Sequence, residues 1–579
     1  MQYNLRFSHW ILSDTLSVLG VSVVRMRMDI SGVRRRHAYR SLPLLLFAAL
    51  CLQVSAQAAD YYVSPNGSDG NAGTSPSRPW KTIAKVNSWD FKPGDRILFQ
   101  GGQSFAGNLV FTAADAGTSA KPVTVSAYGT GRATILAGDG TGILVENAGG
   151  FSISNLVVVG ENRTTNKGNG VCVLNRLPGA VKLGFVRIDN VDASRFGTSG
   201  IVVGGDPPDS SKSGFDDVRI TRCKAHDNAY YGIHVTGAWN PSASGYANRR
   251  VYVGHCKAYD NPGDPAFQKN HSGNGIMIEE VDGGTIERCV AYNNGYLCNY
   301  PGGGPVGIWA HAANRVIIQY NESYNNRTGK SVDGGGFDFD GGVSNSLLQY
   351  NYSHGNDGAG YLLYVYKGAP HTFRNNVMRY NISEDDGRKN TYSGIYVGND
   401  GSGVSDLETY NNTIYISPST GAAKPRAVLV RGTTNVHFRN NIFVAIGGVP
   451  VLDVAEKQPG LLFQGNDYWA GENGKLAILW AGETFDSLDG WRSATRQEMI
   501  GGRKTGLRED PQFTDSGRAI TVGNPDLLNT LAAYRLKPNS PLIRAGLDLR
   551  QFFKLDPGLT DFFGSDLSRI PSIGADDGP

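Results

Sequence analysis

Gly275-Ile276-Met277-Ile278-Glu279, Gly307-Ile308-Trp309-Ala310-His311 and Gly336-Phe337-Asp338-Phe339-Asp340 are one short pattern written three times. Each reads Gly-apolar-x-apolar-x, the period of two expected of a strand with one buried face. Working outward, the pattern returns as Gly232-Ile-His-Val-Thr236, Gly200-Ile-Val-Val-Gly204, Gly170-Val-Cys-Val-Leu174 and Gly142-Ile-Leu-Val-Glu146 on the amino-terminal side. On the other side it returns as Gly360-Tyr-Leu-Leu-Tyr364, Gly394-Ile-Tyr-Val-Gly398 and the variant Ala427-Val-Leu-Val-Arg431. Successive starts lie 28, 30, 32, 43, 32, 29, 24, 34 and 33 residues apart. A unit of this size with no helical period buries its apolar face only by stacking on its neighbours. The i, i+3, i+4 spacing of helical repeats and the L-x-x-L-x-L frame of leucine-rich repeats are both absent, which leaves a right-handed parallel β-helix of about ten or more coils, an all-β solenoid.

A second recurring segment lies between these strands. It ends at Cys223, Cys256 and Cys289, then at Asn321, Asn351, Asn412 and Asn441. The three cysteines therefore occupy a stacked turn position that becomes asparagine further on, a structural role for both residue types. No C-x-x-C metal spacing occurs.

The ends differ from the middle. Arg34, Arg35, Arg36 and Arg40 precede an apolar stretch at 42–54, shorter than a membrane span, and Ala56-Gln57-Ala58 follows as a cleavage signal. Residues 1–58 are thus expected to be a targeting segment removed near Ala58/Ala59, with Met26 or Met28 as alternative starts. The mature chain is then secreted or periplasmic and has no membrane span. The segment holds seven Lys/Arg against two Asp/Glu, so the remainder carries a net charge of −2 and gives no reason to expect a nucleic-acid partner. Residues 59–135 read as an amino-terminal cap and first coils, with a helix near 80–86. Residues 136–450 read as the solenoid. Residues 451–579 read as an irregular segment packed on it, with a short helix at 494–500.

Tyr61-Tyr-Val-Ser-Pro-Asn-Gly-Ser-Asp69, Pro79-Trp-Lys-Thr-Ile83, Pro93-Gly-Asp95 and the repeats together resemble the pectate-lyase-like superfamily of secreted right-handed β-helices. That resemblance implies action on a polysaccharide. Against the calcium-dependent lyases with a lysine base, the catalytic lysine falls on Asp340. Of the calcium aspartates only Asp357 has a clear match, and Gly360 stands where the last would be.

In Gly-apolar-x-apolar-x the x positions face away from the interior. Stacked at about 4.8 Å, they bring Glu279, His311, Asp338, Asp340, Trp309 and Tyr364 onto one patch. Asp338 and Asp340 are expected roughly 6.5–7 Å apart, and Glu279 and Asp340 on the order of 9–10 Å, the range in which paired carboxyls cleave glycosidic bonds. The catalytic set is therefore Asp340 as general acid, Asp338 or Glu279 as base and His311 as an orienting group. Trp309, Tyr364, Tyr396 and His234 are the substrate-binding set. Asp333 and Asp357 tie turns, or complete a calcium site. The 43-residue step points to an inserted loop at 265–274 walling a groove, with His271 and Glu280 on its rim. Hydrolysis, which needs no cofactor, is slightly favoured. A Ca²⁺-dependent lyase and a non-catalytic sugar-binding or adhesin solenoid stay open, as do the sugar, the linkage and the oligomeric state.

Overall fold

The computed structural model describes residues 58–578 apart from 402 and 569, so the segment expected to be a targeting sequence lies outside the described residues up to position 57. The coils build three sheets of fourteen, fourteen and thirteen strands, parallel throughout except that the last strand of one, Glu483–Phe485, runs antiparallel. The stack opens at Asp60–Val63, and parallel pairing continues to Ile478–Trp480, beyond both ends of the 136–450 stretch. The repeated glycine motif forms one whole sheet, in the register that the sequence implies. Ile276, Ile308, Phe337, Tyr361, Ile395 and Val428 stack in one inward row, and each is fully buried.

The corner before the ladder position is a single left-handed residue. Arg222, His255, Arg288, Tyr320, Tyr350, Tyr380, Asn411 and Asn440 all have φ between +49° and +55°. Residues with a Cβ adopt that conformation at a cost. The ladder that follows offsets the cost, because each Asn side chain both accepts from one coil and donates to another. Asn351 Nδ2 donates to Ile318 O at 2.9 Å and to Asn381 Oδ1 at 3.0 Å, while Asn351 Oδ1 accepts from the Asn321 amide at 3.1 Å. Cys223, Cys256 and Cys289 fill the same position in the earlier coils, buried and free. A second ladder turns another corner through Asn228, Asn261, Asn294, Asn326 and Asn356 and ends on Asp386.

The amino-terminal cap centres on Trp80, fully buried and stacked on Tyr61 at 4.8 Å. Its helix runs Ile83–Asn87, with Thr82 as the N-cap. The carboxy-terminal segment lies along the flank, where Leu528, Leu531, Phe562 and Phe563 pack on Tyr350, Tyr352 and Tyr380. The helix expected at 494–500 is instead Leu488–Thr495. Ser487 caps its start and Trp491 buries its apolar side. Arg496 at φ +64° ends it, so Met499–Ile500 pairs as a short strand with Arg503–Lys504. Among the described residues, no helix is long and apolar enough to cross a membrane.

Candidate active site

The outward rows of the glycine-motif sheet run Met277–Trp309–Asp338–Leu362–Tyr396 and Glu279–His311–Asp340. They lie beneath a cavity of about 870 Å³, within the size range of ligand sites. Glu279, Trp309, His311, Asp333, Asp340, Tyr364 and Tyr396 all line it. The 265–274 loop forms a wall through Lys269, Asn270 and His271. Tyr231, Tyr300, Tyr366, Tyr392, Asp400 and the half-exposed Trp239 complete the lining, and none of these was singled out by the repeat.

The floor is more enclosed than an outward face implies. Loops and neighbouring rungs cover Trp309 to 3% exposure and Asp338 to 2%. Asp338 does not line the cavity, and its Oδ1 has no hydrogen-bond partner among the described residues. Burial, reinforced by Asp340 and Asp333, pushes its carboxyl well above the usual range. Buried beneath the floor and outside the cavity lining, it is not placed to activate a water there, the role that its spacing from Asp340 implies. His234 departs from expectation too. It stacks on Tyr231 at 4.1 Å and faces Glu279 at 3.6 Å, behind the lining rather than in it. Its place is that of a support, not a sugar contact.

Glu279 is held from several sides. Thr236 Oγ1 donates to it at 3.0 Å and the Gly237 amide at 3.3 Å, while His311 Nδ1 lies 3.8 Å away. Burial works against its charge, but His234, His311 and the Gly237 amide outweigh it and hold the carboxylate at about 2. His311 reaches outward to the Tyr366 hydroxyl at 3.1 Å, and Trp239 Nε1 donates to the same oxygen at 3.0 Å. Burial lowers the His311 imidazole from its ordinary value, so the ring is neutral near pH 7. A glycine makes this packing possible. A Cβ on Gly341, at φ +64°, would stand 2.3 Å from His311 Nε2.

Asp340 and Asp333 are set differently. Asp340 accepts from the Gly341 amide at 2.6 Å. Burial raises it to about 7 against that amide, and Asp333 and Asp400 add to the rise. Asp333 accepts from the Gly304 amide at 2.6 Å and from the Tyr392 hydroxyl. Burial lifts it above its usual value, and these two donors offset the rise only in part. Two carboxyls that share one cavity and differ in hydrogen-bonded support are the arrangement that separates an acid from a base.

The calcium pairing of Asp333 with Asp357 is not built. Asp357 Oδ1 lies 3.2 Å from Arg327 Nη1 and its Oδ2 accepts from the Thr328 amide at 3.0 Å, so a guanidinium already neutralises it. Asp357 ties a turn, whereas Asp333 belongs to the cavity. Glu280, on the turn beside Glu279, is equally committed, pairing with the buried Lys212 at 2.7 Å.

No family model matches the chain. A lacto-N-biosidase of Bifidobacterium longum subsp. longum is 25% identical over 506 residues, covering 70% of this chain and 30% of that protein. This chain thus spans under a third of the length of that relative. Among solved structures, the GH136 lacto-N-biosidase from Eubacterium ramulus aligns with a TM-score of 0.45 at 17% identity, over 64% of this chain and 68% of that one. XylC in complex with xylose gives 0.46 at 11% identity over 89% and 98%. Pectate lyase Pel9A gives 0.38 at 14% identity over 90% and 96%. With its sheets stacked coil on coil in parallel register, the chain is a parallel β-helix.

Proposed function

We propose that the protein is a carbohydrate-active enzyme, a glycoside hydrolase that cleaves a glycan in the Asp340 cavity. The observation that carries this reading is the pair Asp340 and Asp333 facing one aromatic-lined cavity, with the Asp340 carboxyl raised to about 7. An acid poised there is about half protonated at pH 7 and transfers its proton readily. Asp340 donates to the glycosidic oxygen as the bond breaks. Asp333, steadied by Gly304 and Tyr392, supplies the carboxylate that supports attack at the anomeric carbon, directly or through a water. Product stereochemistry distinguishes those two routes. Glu279 is too acidic at about 2 to be an effective base, and its partners suit it to fixing the His311–Tyr366 wall. Tyr364 and Tyr396 offer ring surface to the C–H faces of a sugar, whereas the covered Trp309 packs beneath them and supports the floor. The 25% identity to a lacto-N-biosidase favours hydrolysis over elimination and makes a lacto-N-bioside the first substrate to try.

The test is turnover by the mature chain of a chromogenic lacto-N-bioside, xylan, polygalacturonate and alginate, with and without EDTA. Release of reducing ends without ultraviolet absorbance, indifferent to EDTA and lost in Asp340→Asn and Asp333→Asn, is the expected result. An EDTA-sensitive rise in absorbance identifies a metal-assisted lyase instead. Silence on every substrate, with retained binding, favours the sugar-binding solenoid. Detection in culture medium or periplasm, with a mature amino terminus near Ala59, tests export.

A further inference from the structure

A second recess lies on a different sheet. Thr413–Ile416, Ile442–Ala445 and Asp467–Trp469 are successive strands there, and Tyr415, Val444 and Trp469 stand in one row across them. Tyr415 and Trp469 are two coils apart, about 9–10 Å, roughly the length of a disaccharide. The carboxy-terminal segment forms the facing wall through Pro511, Gln512 and Phe513, and together they enclose about 410 Å³. Phe513 is fixed edge-on against the buried Tyr534 at 5.4 Å. Asp510 and Lys537 stand exposed at the rim, and the Lys537 amide bonds Gln512 O at 3.0 Å, which joins the two wall segments. Among the described residues, neither the Lys537 ammonium nor the Trp469 indole N–H makes a hydrogen bond or ion pair.

Aromatic rings at sugar spacing, with uncommitted charged and N–H groups around them, suit a ligand that has apolar C–H faces and a hydroxylated edge. The other recess on the carboxy-terminal segment, around Leu549, Pro557 and Leu559, presents no aromatic ring. The Trp469 recess shares no lining residue with the Asp340 cavity. We propose that it is a separate, non-catalytic oligosaccharide-binding site that holds a neighbouring stretch of glycan. Only the choice of a glycan as ligand rests on the hydrolase reading. Asp510, Gln512, Lys537 and Trp469 read the hydroxyls, and Tyr415 and Trp469 stack on two pyranose rings. The recess forms only where the tail crosses the solenoid, so the tail is a functional wall as well as a cover.

The experiment is affinity electrophoresis of the mature chain in native gels containing xylan, arabinogalactan, polygalacturonate or mucin. The parent and Asp340→Asn are expected to be retarded alike in at least one gel. Trp469→Ala should weaken that retardation at least tenfold, and the double variant Asp510→Ala/Lys537→Ala should weaken it measurably. The double variant changes two exposed side chains, and because Asp510 Oδ1 also accepts from the Gln512 amide at 2.9 Å, Lys537→Ala alone is run beside it; together they test the site even if Trp469→Ala fails to fold. Retardation unchanged by both variants, or absent in every gel, overturns the proposal. Because binding is read in Asp340→Asn, failure of the hydrolase reading leaves this result interpretable, and the reverse holds too.

Discussion

Two stretches of one sheet, built on the same backbone repeat, carry opposite outward faces. In the earlier coils the outward positions are Leu144, Cys172, Leu174 and Val202, which close on one another as a dry apolar patch. Three coils on, the same positions are Trp309, His311, Asp338 and Asp340 under an open cavity. The inward rows barely differ, Val171 and Ile201 in one stretch and Ile308 and Phe337 in the other, all fully buried. Stability is thus written on alternate residues of each strand and chemistry on the residues between them. A solenoid can change its site without changing its core.

The sharpest way to break this comparison is to remove one carboxylate from each stretch. Asp340→Asn should cut turnover by about 10²–10⁴, the usual cost of losing a general acid. Glu146 holds the equivalent position in the apolar stretch, where Arg176 pairs with it at 2.9 Å, and Glu146→Gln should leave turnover unchanged. The same acid variant carries a stability signature. The folded Asp340 carboxyl binds its proton more tightly than an unfolded one, so folding takes up a proton between about pH 4 and 7. Stability from this group is therefore lost as pH rises through 7. Asp340→Asn should melt above the parent at pH 8 and level with it at pH 4. Equal melting at both would show that Asp340 is not perturbed.

A smaller effect separates scaffold from site. Asn351→Ala removes a ladder amide and strands the buried Asn321 amide and Ile318 carbonyl of the preceding coil, which should cost about 2–3 kcal/mol in denaturant unfolding. Turnover per folded molecule should not change. Cys256→Ala removes only weak sulfur contacts at the matching position and should cost less, about 1–2 kcal/mol. If the two variants cost the same, packing rather than the hydrogen-bonded ladder sets the stability of these corners.

These contrasts also mark what the sequence made legible. The stacking of Glu279, His311 and Asp340 follows from the Gly-apolar-x-apolar-x register alone, because strand pairing in a solenoid is nearly forced once the repeat is found. The 43-residue step pointed in the same way to the Lys269–His271 wall. The second asparagine ladder was readable too, its members Asn228, Asn261, Asn294, Asn326 and Asn356 spaced like the strands. Tyr366, Tyr392 and Asp400 were not readable, since they sit on turns of unequal length that carry no periodic signal. Trp239 meets Tyr366 across 127 positions of sequence. The sequence also could not tell Asp338 from Asp340. Both occupy outward positions of one strand, and only the loops above decide which carboxyl meets solvent.

That last distinction yields the smallest predicted effect, and an informative one. Turnover requires protonated Asp340, so the rate should fall as pH rises through about 7, while the acidic limb belongs to Asp333, which must be ionised. A negative charge on Asp338, two residues away on the same face, would raise the alkaline limb by stabilising the Asp340 proton. Deleting such a charge would then lower the limb by a unit or more. Burial and its two carboxyl neighbours instead favour the neutral form of Asp338, which leaves little charge to lose. Asp338→Asn should accordingly move the alkaline limb by less than about half a unit while largely preserving the maximal rate. A shift of a full unit downward would mean that Asp338 is ionised and shares the proton with Asp340. The acid of this site would then be the aspartate pair on one strand, and Asp333 would lose its place as the partner.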